Sequence, residues 1–148
     1  MKISYQFFPE VNLLFQKFSG EPSVDEYINY AREILRKNSS LKIEAVLIDF
    51  RDIDISADAD DFTGNLERVI EARKRMNQKR SVVQNGVYIF WVDKPLPTAL
   101  VHLFSGNFSE IRYEYCSTPE QILKLLKLPP DLNDLEHVSR NLKNSWPE

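Results

Sequence analysis

Apolar strand patterns alternate with amphipathic helical patterns along the chain, and this alternation limits the possible fold more than any other feature. Two strand patterns come first, and each of the three later ones follows a stretch with helical spacing. Strands joined through helices imply right-handed crossover connections and a largely parallel sheet. We therefore predict an α/β fold with a mixed sheet, in which an N-terminal β-hairpin precedes βα units and a C-terminal helix is appended.

The two N-terminal strand patterns predict the hairpin. Apolar residues alternate on both sides of the turn-forming stretch PEVN, within residues 1–18. The next segment predicts an amphipathic helix with a capping box, in which Ser23 is the N-cap and Glu26 stands at the third helical position. We expect this helix to end near Asn38.

Three apolar runs predict the remaining strands: KIEAVLIDF, GVYIFWV and IRYEYCS. GVYIFWV is the most apolar stretch of the chain, and we expect it to be the central strand. A second capping-box pattern, Thr118 with Gln121, opens the helix after the last of these strands. The repeating pattern ends at the two prolines, Pro129 and Pro130.

The length of 148 residues is typical of one domain. Residues 1–128 contain all the alternating elements and are predicted to form that domain. Residues 129–148 keep apolar residues at helical spacing, which predicts a tail that forms a short docked helix.

Charge and composition limit the classes of partner. The net charge of −3 gives no electrostatic footprint for nucleic acid or for an anionic membrane, so neither is an expected partner. The single cysteine cannot form an intramolecular disulfide, and no apolar run reaches the roughly 18 residues of a membrane span. The N-terminal stretch lacks the pattern of a signal peptide. We therefore expect a cytoplasmic protein.

Six aspartates fall within thirteen positions, from Asp49 to Asp61, and raise the question of a metal site. Five acidic or hydroxyl residues take the odd-numbered ligand positions of an EF-hand loop: Asp52, Asp54, Ser56, Asp58 and Asp60. The pattern nevertheless fails, because Ala57 replaces the required glycine and Thr63 replaces the bidentate glutamate. An EF-hand is excluded.

The same acids have a simpler interpretation at the start of the second helix. Negative side chains near a helix N-terminus and positive ones near its C-terminus complement the helix dipole, each by about 0.3–1 kcal/mol. Asp58, Asp60 and Asp61 stand at the start, and the basic run RKR with Lys79 and Arg80 stands at the end. Carboxylates at a helix N-terminus also disfavour a phosphate cradle there.

The chain resembles the STAS, or SpoIIAA-like, family of sulfate-transporter and anti-sigma-factor-antagonist domains. The resemblance covers residues 1–128 and is carried by AVLIDFRDIDIS, DKPLPTALVHLF and YEYCSTPEQILKLLKL. Phosphoswitch members of that family have an Asp-Ser-Ser-Gly-like stretch whose serine a partner kinase phosphorylates. Here Ala57, Asp58 and Ala59 stand about where those serines would lie, so the resemblance implies that the usual phosphoserine switch is absent or altered.

These observations predict a non-catalytic binding or regulatory module that contacts another protein through the acidic loop and the second helix, with no cofactor and no metal ligands. A homodimer is compatible with this prediction. Open α/β sheets place their sites at the carboxyl ends of the strands. The predicted binding residues are those of these loops: Asp52, Asp54, Ser56, Asp58, Asp60, Asp93 and Lys94.

Two other functions stay open at this point. The first is a carrier of a small apolar ligand or lipid, in which aromatic residues of the hairpin and of GVYIFWV surround an apolar pocket. The second is a metal-assisted hydrolase with carboxylate ligands. Its ligands would be Asp49, Asp52, Asp54 and Asp58.

Overall fold

A computed structural model describes residues 1–55, 59–79 and 86–148, and for residues 59–64 and 79 it describes the backbone alone. The described elements follow the predicted order of hairpin and βα units. They are β1 (Lys2–Phe8), β2 (Leu13–Gly20), α1 (Val24–Lys37), β3 (Ala45–Ile53), α2 (Ala59–Lys79), β4 (Val87–Trp91), α3 (Pro95–Ser105), β5 (Arg112–Cys116), α4 (Pro119–Leu125), α5 (Leu135–Arg140) and β6 (Asn144–Trp146).

The strands form a six-stranded mixed sheet in the order β5-β4-β3-β2-β1-β6. Neighbouring strands from β2 to β5 pair in parallel, and β1 pairs antiparallel with both β2 and β6. The predicted α/β class and the largely parallel sheet are confirmed. The hairpin turn is a short 3-10 helix that ends at Asn12, whose φ of 50° lies in the left-handed region that asparagine tolerates.

Both predicted N-caps are present, but the capping box predicted for Ser23 and Glu26 is only half formed. Ser23 Oγ accepts a 3.3 Å hydrogen bond from the Glu26 backbone N–H, and α1 ends with Asn38 as its C-cap. The Glu26 carboxylate bonds the amino group of Met1 at 3.0 Å. Thr118 and Gln121 form a complete capping box at the start of α4. Local side-chain chemistry therefore fixes where these two helices begin.

Helices cover both faces of the sheet, and the strand period of two residues divides the core between them. On the first face, here called the α1–α3 face, the core contains Leu14, Val46 and Phe90. On the second face, here called the α4–α5 face, it contains Phe15 and Leu47. Both faces of the parallel strands are thus buried, as the continuous apolar run of β3 predicts.

Two details differ from the sequence expectations. The strand β4 is fully buried but lies next to the edge strand β5, so β3 and β2 are the central strands. Near the C-terminus, β6 adds an edge strand beside β1, with Trp146 opposite Ile3. The helix α5 contributes Leu135 to the core of the α4–α5 face. The division of the chain at residue 128 stays a prediction.

Candidate ligand-binding cavity

A cavity of about 240 Å³ lies between the sheet and the helices of the α1–α3 face. An apolar cavity of roughly 150 Å³ is already large enough to take benzene. Most of the lining side chains are aliphatic or aromatic. Representative members from the strands and helices are Leu14, Val46, Phe90, Ile34, Val69 and Leu100.

Stacked aromatic rings of the sheet form one wall of the cavity. Phe90 of β4 stacks on Phe50 of β3 with ring centroids 5.6 Å apart, and on Tyr113 of β5 with centroids 5.8 Å apart. Alternate residues of a strand face the same side of the sheet, and paired residues of neighbouring strands do so too. The strand register therefore places these three rings on one face. The helices α1, α2 and α3 supply the opposite wall. The sequence prediction of an aromatic-lined pocket therefore has a physical counterpart on this face.

One of the buried polar pairs in the cavity wall is internally satisfied. Gln16 Nε2 donates a 2.8 Å hydrogen bond to the Tyr30 hydroxyl. Burial raises the pKa of Tyr30 well above its usual value, so the phenol stays neutral. This pair fixes two side chains of the wall and leaves little capacity for a ligand.

Arg73 of α2 is different, because it lines the cavity without a carboxylate partner among the described residues. Arg73 is only 6% exposed. Nη2 donates to the Tyr88 hydroxyl at 3.3 Å, whereas the buried Nε has no hydrogen-bond partner in the described part of the chain. Arginine side chains are not deprotonated in proteins, so the guanidinium stays charged.

The α4–α5 face holds a second buried polar group, and its bonds are occupied. Asp49 is 0% exposed and accepts hydrogen bonds from Arg51 at 2.8 Å and from Ser139 at 2.7 Å. Arg51 also bonds Glu136 at 2.6 Å and lies 3.4 Å from the ring centroid of Trp91. This network joins β3 to α5. It stabilises the fold and leaves Asp49 with occupied bonds, whereas the buried Nε1 of Trp91 has no hydrogen-bond partner in the described part of the chain.

The predicted acidic binding residues are only partly described. Asp52 forms a 2.7 Å ion pair with Lys17, and that hydrogen bond lowers the pKa of the carboxyl group. Asp54 and Asp93 are exposed, and Lys94 Nζ donates to the Arg51 carbonyl at 2.8 Å. Ser56 and Asp58 lie outside the described residues, and for Asp60 only the backbone, in α2, is described.

Two of the carboxylates proposed for a metal-assisted hydrolase, Asp49 and Asp52, are held by different partners. Asp49 points to the α4–α5 face, where Arg51 and Ser139 hold it, and Asp52 bonds Lys17. Asp58 lies outside the described residues. Within residues 1–55, 59–79 and 86–148, no three His, Cys, Asp or Glu side chains come together as metal ligands would.

Sequence reasoning did not single out Arg73, although a signal was present. Helix α2 carries an apolar stripe through Leu66, Val69, Ile70 and Met76, and Arg73 lies within that stripe. A charged residue on the buried face of an amphipathic helix is uncommon and needs a partner. The local abundance of basic residues at this end of α2 concealed the signal.

The order of strands and helices defines the class of protein as a SpoIIAA-like α/β fold, as the sequence predicts. A solved structure of an uncharacterized DUF3478-family protein with a SpoIIAA-like fold, from Shewanella loihica PV-4, is similar to this chain with a TM-score of 0.53. The match has 14% identity and covers 84% of this chain and 93% of that one. At this identity the likeness establishes the fold alone. No family model and no curated protein matches the chain.

None of the helices that the structure describes combines enough length with enough apolar character to cross a bilayer.

Proposed function

We propose that the protein is a non-catalytic binding module of SpoIIAA-like fold that holds one small apolar ligand in the cavity of the α1–α3 face. The observation that carries this proposal is the apolar cavity of about 240 Å³. Apolar side chains that line a space of this size lack contact atoms on that side, and the apolar part of a ligand would supply those contacts.

The size of the cavity limits the ligand. Sites for drug-sized molecules usually occupy about 300–1,000 Å³. At about 240 Å³ the cavity is smaller. It suits a single alkyl chain or a compact ring system, and it is too small for a lipid with two acyl chains.

Titration calorimetry of the full chain with 1-decanol tests this function. Leu100 lines the cavity from α3, so Leu100→Trp should fill it and weaken decanol binding about tenfold or more. Leu103→Trp is the matched control on the same helix, because Leu103 is 57% exposed. Binding at one site in the wild type and in the control, with loss in Leu100→Trp, supports the proposal. No binding, or equal binding by all three proteins, contradicts it.

A second candidate function, binding of another protein, is supported by the acidic strand ends. Asp52, Asp54 and Asp93 are exposed at the carboxyl ends of β3 and β4, the edge where open α/β sheets place their sites. Together with Ser56, Asp58 and Asp60, which follow β3 in the sequence, they would attract a basic surface. Such a module would act without the phosphoserine switch, since alanine and aspartate stand at the expected acceptor positions.

Charge reversal tests the protein-binding function. The double variant Asp54→Lys with Asp93→Lys should weaken capture of the specific partners that the wild type retains from a bacterial extract. An unchanged set of partners would remove the acidic edge from consideration.

We propose a cytoplasmic location and a protein partner in preference to nucleic acid or membrane. Sedimentation velocity would show whether the protein forms a homodimer.

A further inference from the structure

Arg73 places a positive charge in the wall of an otherwise neutral cavity. Among the described lining residues it is the one charged side chain. The residue is 6% exposed, and Nε has no hydrogen-bond partner within the described chain. The hydroxyl of Tyr88, at 3.3 Å from Nη2, is a neutral acceptor and leaves the charge uncompensated.

A structural role alone does not account for this arrangement. Transfer of a cation from water to the protein interior is unfavourable, and an ion pair normally offsets this cost. A buried donor without an acceptor is unfavourable as well. The ion pairs of Arg51 and Arg68 show that this protein does pair other arginines with carboxylates. Arg73 therefore lacks a partner that a ligand could supply.

The guanidinium group itself indicates the chemical nature of that partner. Arg73 lines the cavity, and an arginine side chain offers hydrogen-bond donors and no acceptor. The missing group is consequently an acceptor, and beside a guanidinium an anionic acceptor forms the stronger bond.

We propose that the ligand of the cavity is an amphiphile with one anionic headgroup, of the fatty-acid type, whose carboxylate binds Arg73 while its chain lies against the aliphatic and aromatic walls. This inference rests on the proposed ligand-binding function and specifies its substrate class. The planar guanidinium matches the two oxygens of a carboxylate. The phenols of Tyr27, Tyr88 and Tyr113, which also line the cavity, add hydroxyl donors around the same position.

Three ligands with chains of ten carbon atoms, counting the carboxyl carbon of the acid, separate the headgroup from the tail: decanoate, 1-decanol and decyltrimethylammonium. Calorimetric titration of the full chain, below the micellar concentration of each compound and above the pKa of the acid, gives the three dissociation constants. We expect decanoate to bind at least about tenfold more tightly than decanol, which corresponds to ~1.4 kcal/mol, and the cation to bind most weakly.

Substitution at Arg73 tests the assignment to that residue. Arg73→Met keeps the length of the side chain without its charge, and it should weaken decanoate binding about tenfold or more while decanol binding changes by less than about twofold. Arg73→Lys keeps the charge and should keep much of the preference for the anion. Circular dichroism confirms that each variant is folded. If Arg73→Met does not fold, Arg73→Lys and the wild-type preference among the three ligands still decide the result.

The possible outcomes separate the two proposals. Equal binding of decanoate and decanol by the wild type, or unchanged decanoate binding by Arg73→Met, overturns the anionic ligand and leaves the cavity as a site for neutral ligands. Failure of the wild type to bind decanol and decanoate alike overturns both the inference and the proposed function. Preference for decanoate that depends on the charge at Arg73 supports both.

Discussion

The hydroxyl of Ser139 donates a 2.7 Å hydrogen bond to Oδ2 of Asp49, whose residue is 0% exposed. The two residues are far apart in sequence, so this bond ties the C-terminal helix α5 to β3. A buried carboxylate that loses a donor keeps its desolvation penalty. We therefore expect Ser139→Ala to lower the free energy of unfolding by about 1–3 kcal/mol in urea titrations. Ser40→Ala, at an exposed serine, is the control and should be neutral.

Arg51 should contribute more to the stability of the fold than its exposed partner Glu136. It neutralises Asp49 and also bonds Glu136, whose side chain is 42% exposed. Arg51→Met leaves the buried carboxylate without a counterion, and we expect a loss of about 3–5 kcal/mol. Glu136→Gln removes only the exposed part of the network and should lower stability by about 1 kcal/mol or less. Equal losses in urea titrations of the two variants would show that Asp49 does not depend on Arg51.

Arg73→Met should have the opposite effect on stability in the ligand-free protein. Replacement of buried ionic groups by apolar side chains of similar volume is often neutral or stabilises a protein by about 1–4 kcal/mol. Since Arg73 has no carboxylate partner in the described chain, we expect its substitution to leave stability unchanged or to raise it. A marked loss of stability in a denaturant titration of the delipidated protein would instead assign Arg73 to the structural core.

The contact between Trp146 and Glu33 should respond to pH. Trp146 Nε1 donates a 2.8 Å hydrogen bond to Glu33, which fastens β6 to α1. Hydrogen bonds from Lys37 and then from Trp146 lower the pKa of Glu33 from its ordinary value of 4.5. A lowered carboxyl pKa means that the interaction is present at neutral pH and is lost as pH falls through the lowered value.

The indole N–H signal of Trp146 in NMR spectra reports on this contact. The midpoint of its pH transition should lie below 4.5, the ordinary pKa of a glutamate. The variant Glu33→Gln has no carboxyl group at this position, so its signal should lose that dependence. A transition of the wild-type signal at or above the ordinary value would show that the carboxyl group is not stabilised in its charged form.

Local signals in the sequence predicted much of the fold. Ser23 and Thr118 cap helices because side-chain oxygens satisfy unpaired backbone N–H groups, and this chemistry is visible in a short stretch of sequence. The spacing of hydrophobic residues along the chain predicts the hairpin and the parallel strands. The strand β6 was missed because Asn144–Trp146 shows no alternation of its own and is defined by pairing with β1 at the other end of the chain.

The candidate site was harder to predict, because a cavity depends on the volume that side chains leave unfilled. The apolar stripes of α1 and α2 predict only that these helices face the sheet, and they do not show how closely the helices approach it. Asp49 was considered with the acidic cluster. In the structure it faces inward, because alternate residues of β3 point to opposite faces and Ser139 and Arg51 provide bonds for it there.

The most direct test of the central claim, that the cavity of the α1–α3 face binds the ligand, is measurement of intermolecular NOEs between decanoate and methyl groups of the protein. Val46 and Val101 are buried and line the cavity, whereas Leu41 and Leu103 are exposed apolar side chains. We expect NOEs from the alkyl chain of decanoate to the methyl groups of Val46 and Val101. NOEs confined to Leu41 and Leu103, or none at saturating decanoate, would contradict the claim.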